Sequence, residues 1–257
     1  MSTNTNGPST TPSSSSSLSA LTASLTDNKI HLLLAASGSV ATIKLPLILT
    51  TLLTTHPPST LSIRLILTRS ATNFLAGQSA EQPPLASLLA IPGVDAIYLD
   101  EDEWGRGATV GPEGVWRRGA SVLHIELRRW AHLLAIVPLS ANTLAKVVNG
   151  LCDNLLTSVV RAWDADGRID GRRKRILVAP AMNTAMWLHP ITTKQIRVLS
   201  EEWGVREAAD GTIESGWFEV LRPQEKSLAC GDVGDGAMKE WSEIVRIIEA
   251  RLGLSSE

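Results

Sequence analysis

Cysteine is nearly absent: Cys152 and Cys230 are the two in 257 residues. That is too few for a disulfide scaffold and suits a reducing compartment. An excess of one charge is lacking too. With a formal net charge of -2 and scattered Lys and Arg, there is neither the basic field that nucleic acid requires nor an acidic tail. No apolar run is long enough to span a bilayer. The first 28 residues hold no Lys or Arg and no continuous apolar segment, which argues against a secretory signal or a transit peptide. Two phosphate-binding signatures are also missing, the G-x-x-x-x-G-K-[ST] loop and the G-x-G-x-x-G fingerprint. These absences predict a cytoplasmic protein with no nucleic-acid or membrane partner, whose nucleotide ligand, if it has one, is neither ATP nor NAD.

What remains is ordinary globular material, 44% hydrophobic and 19% charged, enough for one sizeable domain. Residues 1–28 are rich in Ser and Thr and have little to bury, so a disordered tail is expected there and a folded domain over 29–257. From Lys29 on, continuous apolar runs recur: "KIHLLLAAS", "LSIRLILT", "AIYLD", "LLAIVPLS" and "RILVAPA". Runs of this kind fit strands covered on both faces. Between them "VATIKLPLILTTLL", "VLHIELRRW", "NTLAKVVNG" and "DNLLTSVVRAW" carry helical spacing. The alternation predicts an α/β fold, a doubly wound Rossmann-like or flavodoxin-like parallel sheet flanked by helices. The Gly- and charge-rich stretches 104–120, 164–175 and 207–217 read as surface excursions.

In such a sheet, ligands lie beyond the carboxyl ends of the strands, where turns into helices expose backbone N–H groups. The strand ends here are Ser37-Gly38-Ser39-Val40, Thr68-Arg69-Ser70, Ser140-Ala141-Asn142-Thr143 and Pro180-Ala181-Met182-Asn183. Three of the four place hydroxyls before a helix, as a helix cap also does. Without a dinucleotide fingerprint, they favour a smaller phosphorylated ligand such as a mononucleotide. The last end is unusual, because an apolar strand stops at Pro180 and then presents Asn183 between Met182 and Met186, with Trp187 beside it.

The blocks "LLLAASGSVATIK", "VLHIELRRWA", "PLSANTLAKVVNGLCDNLLTSVVRAWD", "VAPAMNTAMW" and "LACGDVGDGAM", in that order from about Lys29 to Ile248, resemble the flavin-dependent cysteine decarboxylases. Among these the likeness is to the phosphopantothenoylcysteine decarboxylases of coenzyme A biosynthesis. The resemblance implies FMN as cofactor, no metal, and a homotrimer with the active site at the subunit interface. It implies that Gly38, Ser39, Val40, Thr68, Arg69, Ser70, Ser140, Ala141, Asn142, Thr143 and Ala181 hold the flavin nucleotide. His124 matches the family's catalytic base and Cys230 its proton donor, while Asn183, Ala229 and Met238 match substrate contacts. Ser227 departs from the family, which often has a basic residue before "LACGD"; Lys226 stands one place earlier.

The implied chemistry accounts for those residue types. An N-acyl cysteine has no electron sink for decarboxylation until the carbon bearing sulfur is oxidised to a thioaldehyde by an oxidised flavin. The carboxylate then leaves into the thiocarbonyl, and the resulting enethiolate is reduced again as an acid supplies a proton. A histidine near neutrality suits the base, and an unperturbed thiol suits the acid. Asn183 offers both donor and acceptor to a carboxylate or amide, between deformable methionine walls. Two other readings share this fold. One is a regulatory subunit of the protein phosphatase inhibitor type or a member of a mixed trimer with a paralogue, and the other is a peptidyl-cysteine decarboxylase.

Overall fold

The computed structural model describes residues 18–104, 118–227 and 233–254. Six strands, β1 (Ile30–Ala36), β2 (Leu61–Leu67), β3 (Val94–Tyr98), β4 (Leu133–Leu139), β5 (Ile176–Pro180) and β6 (Phe218–Val220), form one sheet. Its order is β3-β2-β1-β4-β5-β6 and every pairing is parallel. This is the Rossmann order and not the flavodoxin one, so the chain reverses its direction of winding between β1 and β4.

Alternation along β1 sorts its side chains onto two cores. Leu32, Leu34 and Ala36 join Ile48, Leu52, Ile244 and Ile248, from the helices Leu45–Thr55 and Trp241–Leu252. Leu33 and Ala35 join Leu127, Leu144 and Val159, from the helices Leu123–Trp130, Ala141–Val148 and Leu155–Arg161 on the other face. Both faces being covered, β1, β2 and β4 are buried almost end to end. The helix expected from Val40 is interrupted. Residues 40–44 form a 3-10 turn, and the α-helix begins at Leu45 with Pro46 in its first turn, where a missing N–H costs nothing. No described helix is long and apolar enough to cross a membrane.

Two expectations are corrected. The disordered tail was expected through Asn28, but residues 18–23 are helical and Leu21 is fully buried in the core that also holds Leu123 and Leu127. Ser24 accepts a hydrogen bond from the buried Arg64. The folded chain therefore starts before Lys29, because Leu18 and Leu21 give a Ser/Thr-rich stretch one apolar face. Residues 164–175 are no loose excursion either. Asp164 accepts the backbone N–H groups of Arg168, Ile169 and Asp170. Asp170 in turn bridges Arg128 at 2.9 Å and the fully buried Lys174 at 2.7 Å. Gly and charge signal a loop in sequence, but these charges are paired with one another and with the helix above them.

Beneath the amino ends of β1 and β4 lies a histidine pair. His132 Nδ1 accepts the His31 backbone N–H at 2.9 Å, so its ring is neutral, with the proton on Nε2. Burial, then the Arg172, His31 and Lys174 charges, hold its pKa down to about 4, with Asp27 opposing. Burial also lowers His31, although Asp27 sits 2.8 Å from its Nε2. The unfolded chain, with histidine at its ordinary 6.5, binds the proton more readily. The stability from neutral His132 is thus present above that value and lost as pH falls toward about 4. We expect the urea midpoint to fall between about pH 7 and about pH 5, and His132→Asn, whose Oδ1 can still accept the His31 N–H, to flatten that fall. An equal drop in wild type and variant would count against it.

Candidate functional site

The carboxyl ends of β1 and β4 are laced together at the reversal point. Ser37, fully buried, donates its hydroxyl to the Pro138 carbonyl at 3.0 Å and accepts the Ser140 N–H at 2.8 Å. Ser140 is the N-cap of the helix Ala141–Val148, its Oγ accepting the Thr143 N–H at 3.3 Å and donating to Thr143 Oγ1 at 3.2 Å. The first-turn N–H groups of Ala141 and Asn142 lie beyond the reach of any intrahelical carbonyl. At the end of β2, Thr68 caps the short turn Arg69–Thr72, accepting the Ala71 N–H, and meets Ser70 Oγ at 3.2 Å. Gly38 closes the cradle from the β1 side. A Cβ there would stand 2.5 Å from Ser70 Oγ, so only glycine lets the two loops press together.

These positions divide by exposure. Thr68, Ser140 and Thr143 are buried and spend their hydroxyls on the turns themselves. Gly38 and Ser39 are half-buried, and Val40, Arg69, Ser70 and Asn142 stand open at the rim. The arrangement offers a mononucleotide a helix N-terminus for its phosphate and a hydroxyl-bearing rim, which is the chemistry a flavin nucleotide demands. Thr184 Oγ1, one residue after Asn183, is a buried polar atom with no hydrogen-bond partner among the described residues.

Asn183 caps the helix Thr184–Leu188, its Oδ1 accepting the Met186 N–H at 2.8 Å. The acceptor side of the amide is therefore engaged, and the two Nδ2 donors are what remains for a ligand. Ala181 lies buried beside it, its N–H donating to the Leu139 carbonyl. The hairpin formed by residues 224–227 and 233–237 is fastened to this turn, since the Met182 N–H donates to the Gly236 carbonyl at 3.0 Å. A Cβ on Gly236 would meet the Met182 carbonyl at 2.3 Å. Met238 follows the hairpin and packs in the core that holds Ile244 and Val245. Ala229 and Cys230 lie outside the described residues.

His124 opens the helix Leu123–Trp130, which leads into β4, so it lies at the same end of the sheet as the cradle. Its Nδ1 is 2.6 Å from Glu103 Oε1, and its backbone N–H donates to Glu103 Oε2 at 3.2 Å. Glu103 belongs to the short helix Asp100–Trp104 that follows β3. Three residues earlier, Asp100 accepts the Arg69 N–H at 3.4 Å and the Leu155 N–H at 3.3 Å. Burial pushes the Asp100 carboxyl up, against the two N–H groups that draw it down. One turn of helix thus ties the β2 loop of the cradle to the imidazole. Sequence reasoning missed both carboxylates. Their signal was the acidic run "DEDEW", whose partners are remote in the chain.

The helix that His124 opens leads into β4, while Glu103 follows β3 and Asn183 follows β5, with β2, β1 and β4 between. At about 4.8 Å per strand, that places the two points of attachment about 19 Å apart across the sheet.

Comparison with known proteins gives a consistent family. The model described as Flavoprotein matches residues 21–253. Phosphopantothenoylcysteine decarboxylase of Mus musculus is 39% identical over 227 residues, covering 88% of this chain and 89% of its own. Among solved structures, a cysteine-to-serine mutant of PPC decarboxylase complexed with pantothenoylaminoethenethiol is 38% identical, with a TM-score of 0.63, covering 86% of this chain and 97% of that one. The FMN binding protein AtHal3 is 37% identical, with a TM-score of 0.61, covering 89% and 100%. The chain spans about a third of the length of several fungal relatives, among them coenzyme A biosynthesis protein 3 of Saccharomyces cerevisiae, 40% identical over 226 residues, or 88% of this chain and 34% of that protein. Matched from residue 21 to residue 253 and aligned across most of the mouse enzyme, the chain belongs to the flavoprotein family.

Proposed function

We propose that the chain is a cytoplasmic, homotrimeric, FMN-dependent decarboxylase that converts 4'-phosphopantothenoylcysteine into 4'-phosphopantetheine in coenzyme A biosynthesis. The observation that carries this reading is the cradle at the β1/β4 reversal, in a member of the flavoprotein family. It joins a capped helix N-terminus to a hydroxyl rim with a glycine that admits no Cβ, and it fits a mononucleotide phosphate without a dinucleotide loop.

FMN, when bound, supplies the reversible two-electron sink that the N-acyl cysteine lacks. In this reading the N–H groups of Ala141 and Asn142, with Ser39, Arg69 and Ser70, hold the phosphate and ribityl end. Gly38, Val40, Thr68, Ser140 and Thr143 shape the cradle, and Ala181 lies against the ring system. Asn183 turns its Nδ2 donors to the substrate carboxylate, while Ala229 and Met238 line the rest of the substrate. His124 Nε2 takes the substrate proton, and the Cys230 thiol returns one after carbon dioxide has left.

Two features favour a site completed between protomers. His124 is held by Glu103, which follows β3, four strand positions from the end of β5 that carries Asn183. Met186, Leu188 and Ile191, next to Asn183, are 51%, 63% and 49% exposed, an apolar surface that a second copy would cover. The test is to purify the chain alone, record its flavin spectrum and mass, and supply phosphopantothenoylcysteine while following carbon dioxide. A yellow trimer releasing one carbon dioxide per thiol product is expected. A colourless protein that takes up no FMN on reconstitution would remove the proposal.

A further inference from the structure

We propose that Glu103 is the positioning residue of His124, setting which ring nitrogen is free to take a proton; the inference rests on the reading of His124 as the base. Glu103 is buried, with 4% of its side chain exposed, whereas that of His124 is 22% exposed. The carboxylate spends one oxygen on Nδ1 at 2.6 Å and the other on the backbone N–H of the same residue at 3.2 Å. A carboxylate only accepts, so Nδ1 must carry a proton and the lone pair of the neutral ring is left on Nε2. The two contacts together also fix the ring's rotation, because one partner holds both the side chain and the main chain to which it is attached. Once Nε2 has taken a proton, the same anion stands beside the imidazolium and stabilises it.

The helix that carries His124 has a specific need for this carboxylate. Its N-cap residue is Val122, which makes no side-chain cap hydrogen bond, so Glu103 satisfies a first-turn N–H from 21 residues upstream. A capping role alone would be structural, and the substitution that separates the two roles is Glu103→Gln. A glutamine has one acceptor atom and one donor group where glutamate has two acceptors. It can keep the cap by aiming its oxygen at the His124 N–H, but its NH2 then faces Nδ1. The ring must answer by moving its proton to Nε2, which leaves the exposed nitrogen without a lone pair. Glutamine therefore preserves the fold and inverts the tautomer.

The experiment uses the full-length holoprotein with 15N-histidine labelling, imidazole nitrogen shifts, and steady-state carbon dioxide release from phosphopantothenoylcysteine. We expect wild type to show the Nδ1–H tautomer at His124. In Glu103→Gln we expect the Nε2–H tautomer, a kcat lower by about 10²–10⁴-fold and a KM changed by no more than about threefold. Glu103→Asp, which restores two acceptors, should recover the wild-type tautomer and part of kcat. An Nε2–H tautomer in wild type overturns the proposal and requires no variant to fold. So does a Glu103→Gln enzyme that loses turnover with the tautomer unchanged, or that keeps wild-type kcat. His124→Asn run in parallel separates the two possible failures. If it turns over normally, the base reading falls and Glu103 with it; if it is inactive while Glu103→Gln is normal, Glu103 alone falls.

Discussion

Replacing His124 by Asn is expected to reduce carbon dioxide release by about 10²–10⁴-fold, the usual contribution of a positioned general base. Asparagine keeps the size and one hydrogen-bonding edge of the imidazole, so the contact to Glu103 and the start of the helix Leu123–Trp130 have a replacement partner. What it removes is the second ring nitrogen, the lone pair that takes the proton in the proposed reaction. The loss should appear in kcat, with flavin content and thermal midpoint close to wild type. Turnover within about threefold of wild type would exclude a proton-transfer role for this histidine, whatever else it does.

A different failure is expected of Cys230→Ser. In the proposed reaction the thiol acts late, as an acid for an enethiolate that has already lost its carboxylate, so the variant should still release carbon dioxide. It should then stop, because a hydroxyl is a far weaker acid than a thiol of ordinary pKa, about 8.5. Under anaerobic conditions we expect about one carbon dioxide per bound flavin, loss of the yellow colour, and retention of the unsaturated enethiol in place of the saturated thiol. The solved relative bearing a cysteine-to-serine change was captured with pantothenoylaminoethenethiol, an unsaturated thiol of the kind expected here. Release of the saturated product at the wild-type rate would remove Cys230 from the proton path. The two variants thus block opposite ends of one sequence, before and after carbon dioxide leaves.

Much of this architecture was legible because parallel strands buried on both faces must be apolar at every position. "HLLLAA" and "LLAIVPL" admit few other readings. Three strand ends followed, since hydroxyl or glycine residues mark where β1, β2 and β4 stop. The sixth strand was not legible. It is only Phe218–Val220, and its central Glu219 pairs with Arg175 and Arg251, so it carries neither length nor continuous hydrophobicity. Residues 18–23 escaped notice for the opposite reason: two leucines supply the contact, and the Ser/Thr around them dominate the composition. Glu103 could not be assigned from the chain. A glutamate in an acidic run is ordinarily solvated, and only tertiary packing brings it against a histidine 21 residues away.

The five-residue helix after β3 has a mechanical implication. Asp100 grips the loop at the end of β2, and Glu103, less than one turn further on, grips His124. Both the β2 loop and the imidazole are hydrogen-bonded to that one element, so a shift of it acts on both. Loop and imidazole thus share a single five-residue support, and no stiffness of the whole protein is needed to couple them.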